Sequence, residues 1–231
     1  MDSPLDAAVG DSHRRIDADD WDDIYVVGDV HGCLREFRTL LDRLDPSPTD
    51  LVVVVGDLVR KGPSSAGVVD LVRETPNVLS VRGNNEEKLL RGEKSVDGIG
   101  DDRLDFLASL PVVIHWDDAM VVHAGVDPRK PLAAHTVDDF ENVRELGDGD
   151  YEPPFWYDAY EGPKRVFFGH TPLSDPVVRE YAVGLDTGCV YGGELTAYDY
   201  RRDAFVTVDP DRTVQERPTE KFVTPRRLVV H

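Results

Sequence analysis

The sequence predicts an α/β protein built as a four-layer α/β/β/α sandwich, in which two β-sheets lie face to face between outer helices. Two observations favour this fold class. The first half of the chain alternates continuous apolar strands with amphipathic helices, which is typical of parallel βαβ units whose sheet is covered on both faces. The second half carries more short strands, and these are expected to supply the second sheet.

Three strands are predicted in the first half, at residues 24–28, 51–55 and 78–81. A helix follows the first strand, because apolar residues recur there at helical spacing. These residues are Leu34, Phe37, Leu40, Leu41 and Leu44. A second helix is predicted to begin at Pro63, since proline is well tolerated in the first turn of a helix.

The second half is predicted to hold six short strands and two helices. The strands are placed at residues 112–115, 119–123, 166–169, 182–186, 194–198 and 205–208, and the helices at 103–110 and 137–146. All these elements belong to one predicted domain, which spans residues 24–209. An acidic leader, residues 1–23, precedes the domain and is expected to be flexible, and a C-terminal tail, residues 210–231, follows it.

The chain is strongly acidic. Its 231 residues include 45 acidic and 26 basic side chains, which gives a net charge of −19. Because such a surface repels phosphate backbones and anionic lipids, the composition argues against membrane binding and against nucleic-acid binding without sequence preference. Abundant aspartate with little lysine is typical of a protein that stays hydrated in concentrated salt, where screening makes self-repulsion tolerable. We interpret the acidity as adaptation to the cytoplasm of a halophilic archaeon.

Cysteine usage and hydropathy indicate a reducing, aqueous compartment. The two cysteines, Cys33 and Cys189, are too few for a disulfide framework, so reduced, buried thiols are expected. No apolar run approaches the ~20 residues of a membrane-spanning helix, and the first residues lack the basic-then-apolar pattern of a secretion signal. The sequence therefore predicts a cytoplasmic location.

Metal-competent side chains follow a glycine at the end of each first-half strand. They are Asp29, Asp57 and Asn84. Because ligands gather beyond the carboxyl ends of parallel strands, these side chains are expected to meet at one site. The full set of candidate metal ligands is Asp29, His31, Asp57, Asn84, His123 and His170. Mixed oxygen and nitrogen ligands without thiolate suit Mn, Fe, Zn or Co.

Six motifs resemble those of one enzyme family. They are GDVHG (28–32), GDLVRKGP (56–63), GNNE (83–86), HAG (123–125), GHTP (169–172) and GLDTGCVYGGELTAYD (184–199). Together they resemble the calcineurin-like metallophosphoesterases. Within that family they are similar to the phosphoprotein phosphatase branch, which includes symmetrical diadenosine tetraphosphatases and bacterial serine/threonine phosphatases. The same α/β/β/α sandwich is the fold that this resemblance implies.

The resemblance also implies a role for each ligand. Asp29, His31 and Asp57 would hold a first divalent ion, and Asp57 would bridge to a second ion held by Asn84, His123 and His170. The implied nucleophile is a hydroxide activated by both ions. Mn²⁺ is the preferred cofactor, with Fe, Zn, Co or Ni as alternatives.

Two departures from the family pattern concern the catalytic machinery. Arg60 and Lys61 stand where the phosphatases have an Asp-Arg pair, and Asn85 stands where the family has the histidine proposed as general acid. Asp57 and Lys61 are the predicted catalytic residues, and Lys61 would help by neutralising phosphoryl oxygens. Arg60, Lys61, Arg82 and Asn85 are the predicted substrate-binding residues. A metal-bound water or a histidine from elsewhere could replace the lost acid, and His115 is the candidate histidine.

These observations predict a dinuclear-metal-dependent phosphohydrolase that cleaves phosphoester or phosphoanhydride bonds. The substrate is predicted to be a nucleoside polyphosphate like diadenosine tetraphosphate or a phosphoserine/threonine protein. Expelling a polyphosphate anion needs less help from an acid than expelling a serine alkoxide, so the loss of the histidine favours anhydrides or activated aryl esters. The alternative is a metal-bound regulatory or phosphoprotein-binding module with little turnover. A phosphodiesterase or nuclease is the third hypothesis.

Overall fold

The structure is a computed structural model, and it describes residues 4–147 and 151–225. Within these residues the strands, in chain order, are β1 (His13–Arg15), β2 (Ile24–Val27), β3 (Leu51–Val54), β4 (Val78–Ser80), β5 (Val113–His115), β6 (Ala119–Val122), β7 (Arg165–Phe168), β8 (Val177–Val178), β9 (Ala182–Gly184), β10 (Leu195–Asp199) and β11 (Ala204–Val208). The α-helices are α1 (Pro4–Val9), α2 (Leu34–Leu44), α3 (Ser65–Glu74), α4 (Asn84–Leu90), α5 (Asp101–Ser109) and α6 (Val137–Asn142).

The strands form two mixed sheets. A five-stranded sheet has the order β11-β10-β2-β3-β4, and its strands β2, β3 and β4 run parallel. A six-stranded sheet has the order β1-β5-β6-β7-β9-β8, and its strands β6, β7 and β9 run parallel. The parallel strands of each sheet therefore bring their carboxyl ends together at one edge.

Alternation along the central strands separates the layers. Val26 and Val53 belong to an apolar cluster that also contains Val121 and Phe167 of the other sheet, so this cluster joins the two sheets. Their neighbours along the strands, such as Val27, belong to a cluster with the apolar faces of α2, α3 and α5. A third cluster covers the outer face of the six-stranded sheet. The predicted four-layer α/β/β/α sandwich is confirmed.

The N-terminal segment differs from the flexible leader expected over residues 1–23. In the part that the structure describes, α1 buries Leu5, and β1 pairs in parallel with β5 in the register His13↔Val113. Isolated apolar residues such as Leu5 and Ile16 anchor this segment, although its acidic composition resembles that of a solvated one. Residues 1–3 of the leader lie outside the described residues.

Two further segments differ from their predicted form. The helix predicted at 137–146 ends at Asn142, because the chain turns extended at Val143 and Glu145 then forms a β-bridge with Phe155. The expected C-terminal tail returns to the domain, where Val223 forms a β-bridge with Leu173. Residues 226–231 of that tail lie outside the described residues.

Cys33 and Cys189 are both buried and free. Among the helices that the structure describes, none has the length and apolarity needed to cross a bilayer.

Candidate metal centre

The six predicted ligands lie at the carboxyl ends of strands from both sheets. Asp29 and His31 follow β2, Asp57 follows β3, and Asn84 begins the helix that comes after β4. In the other sheet, His123 follows β6 and His170 lies just beyond β7. Asp29, His31, Asp57 and His123 are all buried. Each sheet therefore contributes ligands to one internal site, here called the metal centre.

Three of these ligands have left-handed backbone conformations. The φ angles are 48° at His31, 52° at Asp57 and 65° at His170. Non-glycine residues rarely adopt positive φ, and such conformations cluster at functional sites, where the surrounding structure sustains the strain. Each strand end therefore turns sharply at its ligand.

Asp29, His31 and Asp57 form the first half of the metal centre. Their ligand atoms all lie within 4.8 Å of one another. The His31 Nε2 atom is 3.7 Å from Asp29 Oδ2 and 3.5 Å from Asp57 Oδ2. On the other side of the imidazole ring, Nδ1 donates to the carbonyl of Val59 over 3.3 Å. This hydrogen bond leaves Nε2 as the metal-binding atom.

The second half of the metal centre gathers around His123. Its Nδ1 atom donates to the Val55 carbonyl over 2.9 Å, and its Nε2 atom lies 3.4 Å from Asp57 Oδ1. That Nε2 atom is buried and makes no hydrogen bond in the part of the chain that the structure describes. His170 completes the group, with its ring centroid 5.1 Å from that of His123 and its Nδ1 atom 3.4 Å from Asn84 Nδ2.

Asp57 lies between the two halves. Its Oδ2 atom is directed toward His31 and its Oδ1 atom toward His123. A carboxylate in this position can bridge two cations. The residues fit a pair of divalent ions. The buried Nε2 atom of His123 has no hydrogen-bond partner among the described residues, and a metal ion bound there would satisfy its lone pair.

The electrostatics of the site also fit divalent cations. Burial raises the pKa of Asp29 well above its usual range, and the neighbouring carboxylates of Asp186 and Asp57 raise it further. Burial, followed by the nearby charge of Lys61, lowers the pKa of His31 to about 3. The imidazole is therefore in the neutral form that binds metals, and the crowded carboxylates need a positive charge that a bound cation supplies.

Glu86 has a structural role that the sequence reasoning missed. Its buried carboxylate accepts hydrogen bonds from the backbone N–H groups of Asp57 (2.9 Å), Val59 (3.1 Å) and Gly83 (2.8 Å). It thereby joins the loop after β3 to the loop after β4. The sequence feature that could have indicated this role is the position of Glu86 in GNNE, because a glutamate three residues after Gly83 can cap the first turn of α4.

Asn85 and Arg60, two of the predicted substrate-binding residues, contact each other beside Asp57. The backbone N–H of Asn85 donates to Asp57 Oδ1 over 2.9 Å, and its side-chain amide donates to Asp57 Oδ2. The Arg60 guanidinium in turn donates to Asn85 Oδ1. Asn85 therefore orients the Asp57 carboxylate, and Arg60 fixes the rotamer of Asn85.

Lys61 and Arg82 have contrasting positions. The Lys61 Nζ atom lies 2.7 Å from His31 Nε2 and 5.3 Å from the centroid of the Tyr191 ring, inside the site. Arg82 instead forms an ion pair with Glu87 at 3.2 Å and donates a hydrogen bond from Nε to Glu141 Oε1 over 3.2 Å. Arg82 is absent from the lining of the cleft that opens onto the metal centre. The structure thus brings Lys61, but not Arg82, to the site.

This cleft has a volume of about 220 Å³. Its described lining contains Asp57, Asn84, Asn85, His170 and Pro172 from the motifs, together with Tyr151. The basic side chains of the lining are Arg60, Lys61, Lys88, Arg144 and Arg217. Asp57 is the only acidic residue in that described lining. A positive cleft in a chain of net charge −19 is suited to an anionic ligand.

Arg144 and Arg217 are cleft residues that sequence reasoning missed. Arg144 lies just past the end of α6, and its Nη2 atom is 2.8 Å from His170 Nε2. Arg217 comes from the C-terminal segment. Neither belongs to a motif, so the sequence carried no local signal for them.

Known proteins with related sequences and structures include two types of phosphohydrolase. The asymmetrical bis(5'-nucleosyl)-tetraphosphatase PrpE of Oceanobacillus iheyensis is 28% identical, over 80% of this chain and 91% of its own length. Serine/threonine-protein phosphatase 1 of Salmonella typhimurium is 29% identical, over 80% of this chain and 94% of its own.

A crystal structure provisionally named a diadenosine tetraphosphatase is 30% identical, with a TM-score of 0.77, over 86% of this chain and 97% of that one. Residues 23–213 match the family model of the calcineurin-like phosphoesterases. Because this match spans most of the chain, the protein belongs to the calcineurin-like phosphoesterase family of hydrolases.

Proposed function

We propose that this phosphoesterase hydrolyses phosphoanhydride bonds of nucleoside polyphosphates with the help of two divalent ions. Mn²⁺ is the preferred metal. One observation carries the proposal: Asp57 lies between two sets of buried ligands at the base of a cleft whose described lining is otherwise basic. The similarity to a bis(5'-nucleosyl)-tetraphosphatase supports this substrate class.

The residues divide the work between holding cations and holding phosphate. Asp29, His31 and Asp57 would hold one ion, and Asp57, Asn84, His123 and His170 the other. When bound, such ions lower the pKa of water and clamp a phosphoryl group during in-line displacement. Lys61, Arg60 and Arg144 line the cleft beside these ligands, where their charges would stabilise the equatorial oxygens of the phosphoryl group.

Asn85 favours an anhydride over an ester substrate. Its amide hydrogen-bonds to Asp57 and has no titratable proton to give to a leaving group. A nucleotide or phosphate leaves as a stable anion, whereas a serine alkoxide needs a proton, and a positioned acid typically contributes ~10²–10⁴-fold. His115, the candidate for a substitute acid, lies on β5 and contacts His13, and it does not line the cleft.

The second candidate function is dephosphorylation of phosphoserine or phosphothreonine in proteins. It is favoured by the similarity to serine/threonine-protein phosphatase 1. A binding module with little turnover is disfavoured by the family to which the chain belongs. We also propose a cytoplasmic location in a salt-rich cell, on the basis of the acidic composition.

A substrate panel at high salt tests this function. The full chain is assayed with Mn²⁺ on diadenosine tetraphosphate, p-nitrophenyl phosphate and a phosphoserine peptide, with chelator as the metal control. We expect metal-dependent hydrolysis, with kcat/KM for the tetraphosphate at least ~10²-fold above that for the peptide. Equal kcat/KM values for tetraphosphate and peptide would overturn the substrate assignment. If none of the three substrates were hydrolysed, the proposed activity would be overturned.

A further inference from the structure

The C-terminal segment returns to the mouth of the cleft. The backbone N–H groups of Val214 and Gln215 donate to the Val190 carbonyl over 3.2 and 3.0 Å. Further along, the N–H of Val223 donates to the carbonyl of Pro172, which is itself a cleft residue, over 2.8 Å. The stretch between these two anchors carries Arg217 into the cleft lining. Arg217 lies beyond residue 213, where the family match ends.

Aromatic rings surround the Arg217 guanidinium. Its Cζ atom lies 4.8 Å from the ring centroid of Tyr191, 5.2 Å from that of Tyr151 and 5.9 Å from that of Phe222. These distances are within the range of cation–π attraction. The rings therefore hold the guanidinium in one position and shield it from bulk water.

One part of this guanidinium lacks an acceptor within residues 4–147 and 151–225. Its Nε atom donates to the Lys221 carbonyl over 3.2 Å, and its Nη1 atom donates to the Tyr191 hydroxyl over 3.4 Å. The Nη2 atom is buried and makes no hydrogen bond to any residue that the structure describes. A buried, unsatisfied N–H group is costly, so its presence in a cleft indicates an acceptor supplied by a ligand.

Arg217 is linked to the metal centre through two aromatic side chains. Tyr191 has the Lys61 Nζ atom 5.3 Å from its ring centroid, so Lys61 and Arg217 lie on one ring and are separated by no more than about twice that distance. Tyr151 has Arg144 4.2 Å from its ring centroid, and Arg144 reaches His170. The cations thus extend from the metal centre to the cleft rim. We call Arg144, Tyr151, Tyr191, Arg217 and Phe222 the rim cluster.

This arrangement matches a ligand with several linked negative charges. A phosphomonoester places its single phosphoryl group at the metal centre and leaves Arg217 without an anion. A polyphosphate chain that starts at the same point continues past Lys61 toward the rim. Three or more basic groups in a row attract such a chain, whereas they would repel one another without it.

We propose that Arg217 is a specificity-determining residue that binds the phosphate groups of a polyphosphate beyond the one that is attacked. This inference rests on the proposed function and names the residue that selects nucleoside polyphosphates over phosphomonoesters. Tyr151 and Tyr191 position the guanidinium, and its Nη2 group donates to a distal phosphate oxygen.

Substitution of Arg217 tests the inference by separating two substrates. In Arg217→Gln we expect KM for diadenosine tetraphosphate to rise about tenfold or more, because a charge-assisted hydrogen bond is lost. The kcat for this substrate and both constants for p-nitrophenyl phosphate are expected to stay within about twofold. Arg217→Lys, which keeps the charge but not the planar fork, is expected to recover part of the tetraphosphate KM.

Arg212→Gln is the matched control. It removes the same charge from the same segment, and Arg212 is exposed and lines a separate cleft with Arg35 and Arg38. The inference is overturned if Arg217→Gln and Arg212→Gln have equal effects. It is also overturned if Arg217→Gln raises KM equally for diadenosine tetraphosphate and p-nitrophenyl phosphate. That pattern indicates a structural role for Arg217, and the proposed function stands.

A binding measurement decides the inference independently of turnover. Calorimetry with chelator present measures the affinity of the full chain for diadenosine tetraphosphate without hydrolysis. We expect Arg217→Gln to weaken this affinity about tenfold or more relative to wild type and Arg212→Gln. Equal affinities, including no measurable binding by any of the three proteins, would overturn the inference. A tenfold loss together with an inactive wild type would support the subsite and reject the proposed activity.

Discussion

The metal centre and the rim cluster occupy the same cleft but are built differently. Ligands of the metal centre follow buried strands, and most of them are themselves buried. The rim cluster comes from the end of α6, from the segment between α6 and β7, from the turn after Gly188 and from the C-terminal segment, and its members are partly exposed. The comparison indicates that the sheets hold the reaction chemistry, while the connecting segments select the substrate.

The largest expected effect is at the residue shared by both halves of the metal centre. Asp57→Asn removes the charge between two cation sites and places an amide opposite the donor groups of Asn85. We expect hydrolysis of p-nitrophenyl phosphate to fall on the order of 10³-fold or more. Metal content of the purified protein, measured by mass spectrometry, is expected to fall as well.

Asp42→Asn is the control for this change, since Asp42 is exposed on α2 and the change in charge is the same. If Asp57→Asn kept its activity, the metal centre would have to lie elsewhere.

The difference between the two regions also explains how much the sequence could predict. Asp29, Asp57 and Asn84 follow glycines at the ends of apolar strands, so a local pattern marks each of them. Arg217 lies in a segment without periodicity, and the backbone pairing of Val223 with Pro172 determines its place. Long-range contacts of this kind leave no local signal.

The same reason accounts for the elements that were missed. Strand β1 is an edge strand of three residues with two exposed arginines, so it shows no apolar alternation. The helix expected through residue 146 stops early because Arg144 and Leu146 form backbone hydrogen bonds with Trp156 and Pro154 instead. That early stop carries Arg144 into the cleft.

A second prediction tests whether the strand-end loops act as one unit. The carboxylate of Glu86 accepts three backbone N–H groups, and Glu86→Gln replaces one of its two oxygens with an amide NH₂ group. An NH₂ group cannot accept a hydrogen bond, so at least one of these N–H groups loses its acceptor. We expect activity to fall about 10²-fold and unfolding by urea to require about 2 kcal/mol less free energy. Glu93→Gln, at an exposed position, is the control. Unchanged activity and stability would show that Glu86 does not position Asp57.

A third prediction concerns the missing acid. Asn85→His restores a titratable group, but the adjacent Arg60 guanidinium disfavours the protonated imidazole. We therefore expect only about a tenfold gain on the phosphoserine peptide and none on the tetraphosphate. Adding Arg60→Asp is expected to increase the gain, because a carboxylate favours the imidazolium form. An equal gain on both substrates would contradict the leaving-group argument.

The smallest expected effect on activity is at Glu141, a partner of Arg82. Both residues lie outside the metal centre and the rim cluster. Burial raises the pKa of Glu141 to about 8, and the neighbouring Glu87 contributes, while the paired Arg82 opposes the rise. Consistent with a protonated carboxyl, one oxygen of Glu141 is buried and has no hydrogen-bond partner among the described residues. A carboxyl whose pKa is raised on folding stabilises the protein below the pKa of its unfolded state, and this stability is lost as pH rises toward the folded pKa.

The free energy of unfolding should therefore fall by about 3 kcal/mol between about pH 5 and pH 8, because the folded state retains a proton that the unfolded state releases. In Glu141→Gln, which cannot ionise, this part of the pH dependence should disappear from urea titrations, while KM for diadenosine tetraphosphate stays unchanged. A variant with the same pH slope as wild type would show that Glu141 is ionised in the folded protein. A raised KM would instead place Arg82 and Glu141 among the groups that bind substrate, since the substitution would then act on the cleft.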